Sequence, residues 1–136
     1  MKIIAASARP ASASALKALR IENDADLAAL AAQGAFEGVA CIELDFPKFT
    51  DGRAFSQAVL LRRRFGFAGE IRATGDVLID QLVQMARSGF TSAVLAPGVD
   101  AAAAERQFAR YRAFYQGDAH EPRPLFARHG GTRQAA

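Results

Sequence analysis

The sequence predicts an α/β protein of three or four strand–helix units with a mainly parallel sheet, either open and doubly wound or part of a barrel. Three observations carry this. Short apolar runs with period-two alternation recur along the chain, each is followed by a segment of helical period, and a glycine or a capping residue stands at most changeovers. A helix of about ten or more residues returns the chain to the end of the sheet where it began, so the strands run parallel through right-handed crossovers.

Lys2 to Ala5 reads as a short strand, and Ala8 to Ser14, rich in alanine and serine around Pro10, reads as a loop. Asn23 or Asp24 is placed to cap a helix of about three turns in which Leu27, Leu30 and Ala31 recur, with Gly34 as its stop. Val39 to Phe46 alternates, setting Ala40, Ile42, Leu44 and Phe46 against Cys41, Glu43 and Asp45, and is a strand. After the turn PKFTDG, Arg53 to Phe65 has helical spacing and stops at Gly66. Gly69 to Thr74 is the next strand, and Gly75 with Asp76 opens a helix carrying Leu78, Leu82 and Met85 on one face up to Gly89. Thr91 to Ala96 is a further strand; Pro97 and Gly98 turn the chain, and Asp100 caps a helix running through Phe108, Tyr111 and Tyr115. Residues 1–117 read as one domain. Residues 118–136, with Pro122, Pro124, Gly130 and Gly131, read as a tail that is weakly ordered or draped over a partner.

Seventeen Lys and Arg against fourteen Asp and Glu leave a net charge of +3, which demands no polyanionic partner. The run Arg62, Arg63, Arg64 falls at a helix end, where cations complement the dipole and lie in solvent. No aromatic-interleaved basic ladder accompanies it, so no nucleic acid is expected. The single cysteine, Cys41, is expected as a small core residue. His120 and His129 are isolated, and no metal site is expected. The N-terminal apolar run is shorter than a secretory core, and no stretch approaches the roughly 20 apolar residues of a membrane span. A cytoplasmic protein is the expectation.

In a parallel sheet the loops after the strands share one edge with the helix N-termini, and function is sought there. That edge collects Asp51, Gly52 and Arg53, then Thr74, Gly75 and Asp76, then Pro97, Gly98 and Asp100, with Arg72 on or beside it, and Asp80 and Gln81 one turn into their helix facing either the edge or solvent. If neighbouring strands match faces, Glu43 or Asp45 pairs with Arg72. The plain readings stand beside these: Asp76 as a helix cap, Asp51 and Gly52 as turn residues, the strand charges as solvated.

The stretch from Phe46 to Leu82, FPKFTDGRAFSQAVLLRRRFGFAGEIRATGDVLIDQL, resembles the bacterial family called domain of unknown function 934. The likeness runs through Asp51–Gly52–Arg53, Ser56, Leu61 with Arg62 and Arg64, Gly66, Gly69 to Ala73, Gly75 to Leu78, and Asp80–Gln81, continuing to Gly89–Phe90. Against the resemblance, Thr74 is expected to stand where the family prefers a bulkier apolar residue, and the N-terminal segment is expected to be shorter than the family's. The resemblance implies a place in assimilatory sulfite reduction beside the haemoprotein sulfite reductase, where members are described as probable oxidoreductases. One cysteine and no phosphate or dinucleotide loop leave the chain without a redox centre of its own, and no cofactor is expected.

Two readings follow. The first is an accessory or interaction protein of sulfite reduction, binding a small oxyanion or an acidic partner, such as a reductase component, through the loop edge. The second is an enzyme acting on a small anionic substrate, with Arg53 and Arg72 as clamps and Asp51 or Asp76 as acid or base. Exposed Phe49, Phe65 and Phe67 would favour a homodimer or a partner contact.

Overall fold

The computed structural model describes residues 1–8, 17–111 and 113–128. Among these residues β1 (Lys2–Ile4), β2 (Ala18–Ile21), β3 (Cys41–Phe46), β4 (Glu70–Gly75) and β5 (Ser92–Val94) form one open, all-parallel sheet in the order β1-β5-β4-β3-β2. The helices α1 (Leu27–Ala32), α2 (Arg53–Arg63), α3 (Leu82–Ser88) and α4 (Ala101–Ala109) follow β2 to β5 in turn, and a short α5 (Leu125–Arg128) comes last. From β2 to β5 each crossover steps one strand in the same direction. Right-handed crossovers of that kind bring their helices to a single face.

The core bears this out. Ile21, Ile42, Leu44, Phe46, Ile71, Ala73 and Ala93, alternate residues of four strands, share one buried cluster with Leu27 of α1, Ala54, Ala58 and Leu61 of α2, Leu82 and Met85 of α3, and Ala104 of α4. Phe46 and Phe55 meet edge to face at 5.2 Å between centroids, an aromatic geometry that adds to the area buried. The other sheet face carries Arg20, Cys41, Glu43, Asp45, Glu70, Arg72 and Ser92, brought side by side by the register. No helix among the described residues is long and apolar enough to cross a membrane.

Several local expectations are corrected. β2 has no counterpart in the sequence reading: it is a four-residue edge strand, too short for alternation to stand out. Asp26, not Asn23 or Asp24, caps α1, accepting from the amides of Ala28 and Ala29, and the helix has six residues rather than three turns. Gly75 and Asp76 open no helix; Gly75 ends β4 at φ +87°, and a 3-10 turn at Ile79–Gln81 leads into α3. α4 ends at Ala109, leaving Tyr111 and Tyr115 beyond it and exposed. Asp100 does cap α4, accepting from the Ala102 amide. The expected loop over 8–14 falls almost wholly outside the described residues, as do His129 and the chain after it.

Arg62 is the largest departure. Instead of lying in solvent, its guanidinium donates to the carbonyls of Gly89 (3.0 Å), Phe67 (2.7 Å) and Gly69 (2.8 Å), tying the end of α2 to the turns that enter β4 and β5. Burial depresses its pKa. Gly89, at φ +116°, has no room for a Cβ because the Arg62 side chain lies against it. Arg63, by contrast, reaches the Asp118 carbonyl at 3.0 Å.

Candidate functional site

The loop between β3 and α2, residues 47–52, stands at the carboxyl edge of the sheet and is fastened from both sides. Asn23, after β2, donates to Asp51 Oδ2 at 2.7 Å. Asp51 also accepts from the Arg53 amide (3.2 Å) and from Arg53 Nη2 (2.8 Å). These Arg53 hydrogen bonds hold the Asp51 carboxyl down at about 2. From the other side, Asp76 Oδ2 accepts from the Phe49 amide at 2.9 Å, and Gln81 Nε2 donates to the Phe49 carbonyl at 3.1 Å. The Asp76 amide in turn donates to the Phe46 carbonyl at 2.8 Å. Three successive strand-to-helix connections are thereby bonded into one rim.

Gly75 makes this closeness available. A Cβ there would collide with the Phe46 carbonyl and approach Asp45 Oδ1, and the positive φ is strained for any other residue. Gly52 is the N-cap of α2 and brings no side chain; the neighbouring Asp51 serves the first amide instead. Ser56 is exposed one turn into α2, and Asp80 is exposed in the 3-10 turn. At the tip of the rim Lys48, Phe49 and Thr50 face solvent, with Phe49 46% exposed. Phe65 packs edge to face on Phe36, and Phe67 is buried, so of the three phenylalanines only Phe49 stands out at the rim.

Arg72 is elsewhere. It projects from the middle of β4 on the face opposite the helices, where its guanidinium pairs with Glu43 (3.0 Å) and Glu70 (3.0 Å), and Ser92 donates to Glu70. The pairing of Glu43 with Arg72 is the one the strand patterns suggest; Asp45 instead meets Arg20 at 3.3 Å and the Thr74 hydroxyl at 3.3 Å. The expectation that Arg53 and Arg72 share a rim therefore fails. Arg53 opens α2 at the sheet's carboxyl edge and Arg72 stands in a strand centre, and side-chain alternation aims Arg72 away from α2. Cys41 sits beside this network; burial and the nearby Glu70 raise its thiol to about 11, so almost none of it is thiolate near neutrality.

The structure thus brings Asp51, Gly52, Arg53, Gly75, Asp76 and Gln81 together and leaves Arg72 apart. Sequence reading gave Asn23 no site role and named Phe49 only together with Phe65 and Phe67, as a homodimer or partner contact if exposed. Asn23 sits where a cap is expected, which conceals its reach across 28 positions to Asp51. Phe49 carried one signal, an aromatic residue in a turn otherwise made of Pro, Lys, Thr, Asp and Gly.

Neither the curated proteins nor the solved structures contain a match to this chain. A sequence model of the family described as "Bacterial protein of unknown function (DUF934)" matches residues 18–126. That span runs from β2 onward and takes in every residue of the rim, and the chain belongs to the DUF934 family.

Proposed function

We propose that this protein is a cytoplasmic accessory or interaction protein of assimilatory sulfite reduction, and that it docks a partner through the rim. The metabolic setting comes from the resemblance of the Asp51–Gly52–Arg53 and Gly75–Asp76 stretch to its family. The mode of action is supported by one observation above all: Asp76 and Gln81 grip both backbone groups of Phe49 while its ring stays exposed. A residue held in place before binding loses little freedom on contact, and an aromatic ring of this kind makes an effective anchor. Lys48 beside it suits an acidic partner surface.

An enzymatic role with Arg53 and Arg72 as joint clamps has no support in their placement, since each guanidinium is paired on a different side of the sheet. Asp51, held at about 2, is not a proton carrier near neutrality.

Co-purification under sulfate limitation, with crosslinking, tests the proposal. The tagged wild-type protein is expected to recover a sulfite reductase component, and the Phe49→Ala protein to recover little of it. Recovery of no such component by the wild type, or equal recovery by both, would count against it.

A further inference from the structure

A second feature stands apart from the rim and does not depend on Phe49: the groove between α2 and α3. Both helices return from the carboxyl edge of the parallel sheet and pack side by side. Phe55, Val59 and Leu60 of α2 form the apolar wall of the groove, Ser56 and Gln84 flank it, and its volume is about 420 Å³. Leu60 is 40% exposed, and Ser56 and Gln84 are exposed with it. The wall is therefore open to contact.

One end of the groove is charged. A smaller hollow of about 260 Å³ shares Val59, Gln84 and Ser88 with it and adds Arg63, Arg87 and Asp118. The Asp118 carboxylate is already engaged, accepting from the amides of His120 and Glu121 and facing Arg87. Arg63 is exposed; its Nη2 donates to the Asp118 carbonyl, and its Nε and Nη1 have no partner among the described residues. Neither α2 nor α3 contains a carboxylate. A single exposed leucine on a protein surface means little. Here it belongs to a concave apolar wall that ends at a cation with free donors.

We propose that the α2–α3 groove docks an amphipathic helix of a partner protein, with the apolar face of that helix on Phe55, Val59 and Leu60 and an acidic residue at Arg63. A groove between two packed helices has the shape that receives the side-chain ridge of a third. The 11 residues of α2 span about 16 Å, so the contact extends over about three turns of the incoming helix. Charge selects the occupant. A second copy of this chain would bring its own Arg63 and Arg87 to the same interface, like against like, whereas an acidic helix complements them.

NMR titration of the full chain with a designed peptide tests this. The probe is an acetylated, amidated peptide of about twelve residues, stapled to hold its helix, with leucines on one face and glutamates on the other. The control peptide carries lysine in place of every glutamate. The glutamate peptide is expected to shift the methyl signals of Val59 and Leu60 and the side-chain amide of Gln84, and the lysine peptide to bind at least about tenfold more weakly. Leu60→Ala is expected to weaken binding of the glutamate peptide about fivefold. Arg63→Glu is expected to narrow the preference between the two peptides by at least about fivefold, a readout that a loss of folding alone would not produce. Unshifted groove signals with the glutamate peptide, or equal binding of the two peptides by the wild type, would overturn the proposal. A concentration-dependent dimer, read by light scattering and dissociated by Leu60→Ala, would overturn it in favour of a second copy.

Discussion

Asp51 accepts hydrogen bonds from Asn23, from the Arg53 amide and from the Arg53 guanidinium, and these bonds govern its titration. Its folded pKa of about 2 lies below the ordinary 3.8, so the unfolded chain takes up its proton first as pH falls. The stabilisation is complete above pH 3.8 and is lost as pH drops toward 2. A melting-temperature series should therefore fall more steeply across that window for the wild type than for Asp51→Asn. Arg62 sets a different expectation. With three carbonyls on one guanidinium, Arg62→Met should lower unfolding free energy by about 2–3 kcal/mol in urea titrations. At this scale the sequence marks which residues matter better than it marks their partners. Asp76 follows a strand, as a cap should, but the helix begins later than its position suggests and its carboxylate turns to the Phe49 amide. The carbonyls around Arg62 come from turns that no side-chain pattern encodes.

At the scale of elements, alternation discloses β3, where Ile42, Leu44 and Phe46 face the core opposite Glu43 and Asp45, while β4 and β5 are marked as short apolar runs between turn residues. β2 escapes because four residues, ALRI, at a sheet edge give too short a pattern. The far end of α4 escapes for a different reason. Phe108, Tyr111 and Tyr115 keep helical spacing, but the chain leaves the helix at Arg110 and folds back on α3. There Arg87 stacks over Phe114 at 4.2 Å, donates to the Gln116 carbonyl at 3.0 Å and faces Asp118 at 3.4 Å. The Ala119 amide completes the strap by donating to the Arg87 carbonyl. Arg87→Ala should release it: amide exchange at Ala119 should rise at least about tenfold while β3 and β4 amides keep their protection. Unchanged exchange at Ala119 would show that other contacts hold this segment.

Across the whole molecule, parallel order concentrates the motif residues. Crossovers running in one direction place the connections after β2, β3 and β4 side by side, and Asn23, Asp51, Asp76 and Gln81 join them. That common edge is legible from strand–helix alternation alone. The separation of Arg53 from Arg72 is a matter of which sheet face a strand residue occupies relative to the helices, and the alternation in β4 is ambiguous because Glu70 and Arg72 share a face that is largely buried. What the fold presents outward at the edge is the exposed Phe49 ring, on a backbone held by Asp76 and Gln81, with Lys48 beside it. Complementation on sulfate as sole sulfur source, measured together with melting temperature, probes that feature most directly. The Phe49→Ala protein should melt within about 2 °C of the wild type, as an exposed substitution does, yet fail to restore growth; full growth, or a growth defect matched by a large fall in melting temperature, would contradict a docking role for the rim.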